Sequence, residues 1–471
     1  MQKTSFSSPL LLFSLLLLLL VACGVVQQVK PVAETIPAPT LTAAPPSASP
    51  TDVPPTAPPT ELPTLPPAET LVVEPSPTDA PVQPIETPSV LQIVWVNPAT
   101  DILLWHETDA TLTTILPASG AVDVRLSDDG ALIAFRKEVG AGQQELWVVN
   151  TDGTNARMLL SVGDLQALDP SALSVLLYQY DWIPGTHTLA FNTLDYVEAP
   201  GLFLNDDLYF YDVENSQRRT IRTSGTGGNF TFSKDGKQMV LVSQNNEKGV
   251  GVISLLNTDG TNNRSAVLEY PYVLTYSEYQ YYAEPVWAPD LSFLRVAIPP
   301  QDSLGDPTAL TTLWEIPYRS GPSIQIGQVL AQPFFIDPVQ FSPDVAHIAF
   351  TRLPDPNNYT TAELIISNAD GSNEFIYATG NLFFRAWAPD SQHFIFEDGS
   401  LQETYLGVLG GAYTLLTDFP YVYDVQWIDE TRFLFSVFTN SGWQLRLGTL
   451  GQASLLILES PDGNLVYAFD K

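Results

Sequence analysis

Phe341-Ser-Pro-Asp-Val-Ala-His-Ile-Ala-Phe350 decides the fold. An apolar segment ends in a bulky residue, a polar turn follows, and a second apolar segment begins. The same phrase returns at Trp182-Ile-Pro-Gly, Phe232-Ser-Lys-Asp-Gly, Trp287-Ala-Pro-Asp and Trp387-Ala-Pro-Asp, with weaker copies at Leu126-Ser-Asp-Asp-Gly and Trp427-Ile-Asp-Glu. A second core position follows each anchor: Phe135, Phe191, Leu241, Val296, Phe350, Phe396 and, one residue early, Phe435. Copies spaced by 40 to 56 residues mark a repeat architecture.

Within a unit the apolar residues alternate in short runs separated by Gly, Asp, Asn and Pro, which is strand patterning. The first full unit reads as strands over 122–127, 131–137, 145–150 and 157–160. Its third and fourth strands are joined by Asn150-Thr-Asp-Gly153, which recurs as Asn257-Thr-Asp-Gly260 and Asn368-Ala-Asp-Gly371. Asp-Gly supplies the positive φ of a tight hairpin. The Asp-x-Asp-x-Asp-Gly spacing of a calcium loop is absent. Only Ala167–Tyr178 shows a helical period. Four-stranded units of this length, each with an aromatic anchor, predict an all-β propeller.

The unit also resembles a known family. Phe-Ser-Pro-Asp-x-x-x-Ile-Ala-Phe, then Leu-Trp-Val-x-Asn-x-Asp-Gly and an Arg-x-Leu strand, are similar to the TolB-type β-propeller repeat, best at Val124–Leu160 and Pro338–Phe375. The similarity covers about 120–460 and implies a role in envelope interactions. Glycine is missing after Asp290, Asp344 and Asp390, so less regular turns are expected there. The unit at 425–459 lacks the Asp-Gly turns.

The ends predict how the ring closes. Three strand-like runs, 91–96, 102–106 and 111–116, precede the first anchor, and one orphan strand, 464–469, follows the last unit. Together they complete an eighth blade and hide two sheet edges. Seven blades would result if the N-terminal runs only padded a neighbour.

Residues 1–22 read as a secretory signal peptide, with Lys3 ahead of an apolar run, Leu10–Val21, too short for a comfortable membrane span. Leu20-Val21-Ala22-Cys23-Gly24 resembles the lipobox of bacterial lipoproteins, which implies cleavage before Cys23 and diacylglyceryl attachment to its sulfur. Cys23 is the sole cysteine, so no internal disulfide forms. Residues 23–89 read as a lipidated N-terminus and a disordered Pro/Thr-rich stalk, with 18 of the 40 prolines between Pro31 and Pro88. Residues 90–471 form the propeller domain.

A net charge of −32 excludes the basic footprint that nucleic-acid binding needs, disfavours direct docking on anionic lipid, and suits cationic partners. Blade geometry sorts the loops: first-to-second and third-to-fourth turns lie on one face, the other connections on the opposite face. The long insertions at 161–179, 192–206, 269–284, 299–312, 328–337 and 352–362 all fall on that opposite face, where binding is expected. Its most unusual segment holds Tyr270, Tyr272, Tyr276, Tyr279, Tyr281 and Tyr282 within thirteen residues. These rings either form a contact surface or fold inward. Tyr196 and Phe203 make a weaker case in the 192–206 insertion.

His187, His347 and His393 sit near the starts of second strands and read as strand ends rather than metal ligands. Neither a metal, a cofactor nor a catalytic residue is expected. Gly-x-Ser-x-Gly, His-Glu-x-x-His and Walker motifs are absent. The sequence therefore predicts a lipid-anchored, extracytoplasmic, non-catalytic module of the bacterial envelope that binds a protein or peptide. A carbohydrate- or small-solute-binding propeller, possibly carbohydrate-active, is the alternative; it calls for a deep polar pocket with paired carboxylates and stacked aromatics.

Overall fold

Short turns bring each apolar run back beside the previous one, so every repeat forms four antiparallel strands, here called a to d from the inside outward. A computed structural model describes residues 90–196, 202–277, 280–333, 338–356, 358, 360–420, 422–461 and 465–470. The expected signal peptide, Cys23 and the expected Pro/Thr-rich stalk lie outside the described residues. Blade 1 comprises Ala121–Leu126, Leu132–Gly140, Gln143–Asn150 and Arg157–Leu160. Blade 2 comprises Ser174–Trp182, Thr188–Tyr196, Leu208–Asp212 and Gln217–Arg222. Blades 3 to 6 occupy 229–271, 286–329, 340–380 and 382–420. Blade 7 comprises Val422–Trp427, Arg432–Thr439, Gly442–Thr449 and Leu455–Ser460.

Blade 8 closes the ring as the sequence predicts, so the propeller has eight blades. Its inner strand is the C-terminal Val466–Asp470, paired antiparallel with Gln92–Val96, which pairs with Ile102–His106 and then Thr111–Leu116. Ile93 stands opposite Phe469 and Trp95 opposite Tyr467. Buried side chains interlock between neighbouring blades rather than in one central core. Leu434, Leu445 and Leu458 of blade 7 pack with Ile93, Trp105, Tyr467 and Phe469 of blade 8. On the other flank Val94, Val96 and Leu104 pack with Val124, Leu126 and Phe135 of blade 1. Each blade thus offers two apolar faces, which is what alternating strands buried on both sides require.

Three of the a–b turns share a Ser–Asp bond. The buried hydroxyl of Ser342 donates to Asp344 Oδ1 at 2.5 Å and accepts the His347 N–H at 3.0 Å. Ser127 with Asp129 and Ser233 with Asp235 repeat the first bond at 2.7 Å. The expected irregularity after Asp290, Asp344 and Asp390 is not seen. Leu291, Val345 and Ser391 adopt φ of 59°, 54° and 58°, the left-handed conformation that Gly130 and Gly236 hold at 67°. All five donate the same turn-closing backbone bond at 2.8 to 3.0 Å. The turn is imposed by the strands around it, and the side chain tolerates a conformation that costs roughly 1–2 kcal/mol.

Two local expectations change. The helical turn is Val162–Gln166, ahead of Ala167–Tyr178, capped by a Ser161–Asp164 box; most of 167–178 joins strand a of blade 2 or the loop before it. The 192–206 insertion is not a plain loop. Leu202–Leu204 pairs with Leu194–Tyr196 and makes blade 2 five-stranded.

Candidate functional site

Because strands alternate in direction, all b–c and d–a connections emerge on one face, and this face carries the long insertions. Residue 90 leads into strand b of blade 8 from the opposite, short-turn face.

The tyrosine-rich segment divides in two. Tyr270 is 3% exposed and fills the space beside Gly251 on the paired strand, where a Cβ would fall 2.1 Å from its ring. Its hydroxyl accepts the Ala283 N–H at 3.2 Å. Tyr281 meets Tyr270 edge-on at 6.2 Å, and both it and Tyr282 pack on the core shared by blades 3 and 4. The Tyr282 hydroxyl donates toward Asp206 Oδ1 at 3.4 Å, tying this segment to blade 2. These three rings are structural.

Tyr276 points outward, 60% exposed, with its hydroxyl on Asp302 Oδ1 at 2.5 Å. A backbone bond from Leu274 N–H to Gln301 O at 2.8 Å knits the same two loops together. Leu274, Leu304 and Leu310 are exposed beside them, so this corner presents apolar surface over a rigid support. Tyr272 is half-buried, and its N–H donates to Gly249 O at 3.1 Å. Tyr196 is exposed on blade 2, with its ring against Gly142 of blade 1. Phe203 lies in the added strand Leu202–Leu204. Tyr279 lies outside the described residues.

Asp206 and Asp207 are adjacent carboxylates, but both are buried and engaged. Asp206 Oδ2 accepts the Gln244 N–H at 3.0 Å, and Asp207 accepts the Thr193 N–H at 2.8 Å and hydroxyl at 2.6 Å. Burial pushes Asp206 up to about 6 and Asp207 up as well, although their hydrogen bonds pull downward. They brace the blade 2 hairpin.

A second exposed aromatic group was not anticipated. Phe438 and Trp443 stand opposite each other near the upper ends of strands b and c of blade 7, with ring centroids 5.2 Å apart. Tyr423, at a bulge in strand a, meets Trp443 edge-on at 4.8 Å. Phe438 is 60% and Tyr423 45% exposed. Arg432 and Glu107 pin the lower ends of blades 7 and 8 together. Strands b and c of blade 7 run eight residues from there, against five in blade 8. The blade 8 ladder continues past those strands, through Glu107 N–H to Leu91 O at 3.0 Å and Asn97 N–H to Asp101 O at 3.1 Å, so blade 8 is nearly as tall. Trp443 shares a strand face with Leu445 and Leu447 of the core between blades 7 and 8, so the aromatic rings form a shelf on the upper flank of blade 7 that faces blade 8.

The short-turn face holds an open cleft of about 520 Å³ lined by Asp128, Asp129, Gly185, Thr186, His187 and Glu214. His187 bridges Glu214 and Asp129, each at 2.9 Å. Burial works against its charge, but the two carboxylates outweigh that and hold the imidazole above its ordinary value. His393 bonds Asp390 in its own turn at 2.5 Å. Among the described residues no group of three or more His, Asp or Glu is arranged to hold a metal ion.

No family model matches the chain, and no curated protein matches it in sequence. Among solved structures, TolB from Acinetobacter baumannii aligns at 15% identity and a TM-score of 0.35 over 78% of each chain. An oligogalacturonate lyase in complex with manganese aligns at 10% identity and 0.43, over 77% of this chain and 97% of its own. The β-propeller domain of the Trilobed protease from Pyrococcus furiosus aligns at 15% and 0.41, over 62% and 83%. The eight-bladed assignment rests on the strand pairing itself.

Proposed function

We propose that this propeller is a non-catalytic protein- or peptide-binding module of the bacterial cell envelope, held outside the cytoplasm by lipid on Cys23. One observation carries the reading. Two groups of exposed aromatic and apolar side chains sit on the loop-rich face, at the Tyr276–Leu304 corner and on the Tyr423–Phe438–Trp443 shelf, opposite the face from which residue 90 leads away. Such surface on rigid supports suits an extended partner better than a solute. The buried carboxylates Asp206 and Asp207 are occupied by internal bonds, which weighs against the alternative of a carbohydrate-active site there.

The test is affinity capture from envelope extract with the wild-type chain beside Tyr276→Ser and Phe438→Ala variants. A protein retained by wild type, released by either variant, and able to capture the propeller in return supports the reading. Retention of oligosaccharide instead, with no protein lost on substitution, overturns it. Membrane attachment is tested separately: Cys23→Ser should abolish labelling by a fatty-acid probe, and unchanged labelling would sink the anchor.

A further inference from the structure

We infer that the segment recognised on the loop-rich face is basic, and that its Lys or Arg side chains dock on the shelf of Tyr423, Phe438 and Trp443. This rests on the protein-binding reading above and names the partner's chemistry.

Two independent features point to it. The first is the sign of the face. Its connecting loops carry Asp101, Asp164, Asp169, Glu247, Asp302 and Asp306, and Lys248 is their one basic residue in sequence. Lys248 is already paired with Glu269 at 3.0 Å. Arg352, at the edge of the same face, is held by Glu363 and Glu374 at 3.1 and 2.9 Å. The loops themselves are net acidic, so an approaching acidic segment is disfavoured, whereas a basic one is steered inward.

The second feature is the shelf. Trp443 packs against both Tyr423 and Phe438, and those two rings are widely exposed on the flank of blade 7 that faces the closing blade. The face of an aromatic ring carries negative potential and attracts ammonium and guanidinium groups. Asp101, in the b–c turn of the neighbouring blade 8, is fixed by Asn97 Nδ2 at 3.0 Å and the Ala118 N–H at 2.8 Å. A neutral sugar would use the rings but gain nothing from the field.

The experiment titrates the full chain with three fluorescent probes at low and physiological ionic strength: a short Lys/Arg-Gly-Ser peptide, its Glu-Gly-Ser counterpart, and a neutral oligosaccharide. A Tyr423→Ser/Phe438→Ala double variant and, as a control, Ile376→Ser on the outer strand of blade 5 run beside it. The basic probe should bind, weaken on the order of tenfold with salt, and lose about fivefold or more in the double variant alone. Both substituted rings are exposed, so an unchanged melting temperature is expected to accompany that loss; single Phe438→Ala serves if the double variant unfolds. Equal affinity of wild type and double variant would reduce the effect to bulk charge and overturn the shelf. No binding of the basic probe, while envelope capture still yields a shelf-dependent protein, overturns the basic partner and leaves the binding reading standing. Binding of the oligosaccharide alone overturns both.

Discussion

The Glu107 carboxylate and the Arg432 guanidinium, 325 positions apart in the chain, meet across the seam between blades 7 and 8. Glu107 also accepts the Leu91 N–H at 3.1 Å, and Arg432 bonds Asp429 at 2.6 Å. One partly exposed pair thus joins the first strand of the ring to its last complete blade. Exposed ion pairs contribute little, and a lost backbone partner adds to that. Glu107→Ala should therefore lower stability by only about 1–2 kcal/mol, read from the urea midpoint. An Arg432→Ala/Glu107→Ala cycle showing no coupling would remove the pair from the seam's energetics.

The apolar contacts of the closing strand matter more. Phe469 and Tyr467 are both buried against blade 7. Phe469→Ala should cost about 3–4 kcal/mol, and removal of 466–471 should abolish cooperative unfolding because it opens a sheet edge and uncovers two inter-blade cores. Thermal unfolding by circular dichroism checks both; an unchanged melting temperature in the truncated chain would contradict closure by this strand.

The tyrosine-rich segment should split by function. Tyr270→Ser removes a buried ring and is expected to destabilise the domain by about 3 kcal/mol or more. Tyr276→Ser, at an exposed site, should leave stability within about 0.5 kcal/mol. If both substitutions shift the melting temperature equally, the assignment of Tyr270 to the core and Tyr276 to the surface fails.

Stability should fall as pH rises from mildly acidic to neutral. Burial pushes Glu397 up to about 7 despite Arg385 beside it, and pushes Asp206 up to about 6. A carboxyl with a folded value above its unfolded one holds more protons in the native state. Its penalty therefore grows as pH climbs from the unfolded toward the folded value. Turn aspartates such as Asp152 and Asp259, held low by Thr154 and Thr261, act oppositely and lose their contribution only in more acidic solution. The melting temperature should drop by about a few degrees between pH 5 and pH 8, and Glu397→Gln should flatten that slope. A melting temperature that rises over this range would refute the balance.

Much of the scaffold was legible because its cause is local and repeated. Phe341, Trp387 and their equivalents announce the blades, and the three-plus-one strand count at the ends announces the closure. What escaped depends on neighbours. Phe438 and Trp443 read as ordinary strand residues; their meeting with Tyr423 at the upper end of blade 7, with Phe438 left exposed, depends on strand register and a bulge that the sequence pattern does not announce. Tyr270 and Tyr281 drew notice for their composition, yet Gly251 opposite Tyr270 was the signal that one ring turns inward. Leu291 and Val345 lack the glycine their turns favour, and the flanking ladders impose the turn regardless.

The position of strand Gln92–Val96 has a mechanical meaning. It is held on one side by Val466–Asp470 and on the other by Ile102–His106, both antiparallel. Tension on the chain ahead of residue 90 pulls along the strand, so the hydrogen bonds on both flanks bear the load together in shear instead of peeling one at a time. Were the chain tethered at its N-terminus, the same blade that seals the ring would act as its load-bearing buckle, and force would meet its strongest resistance at the point where it enters the fold.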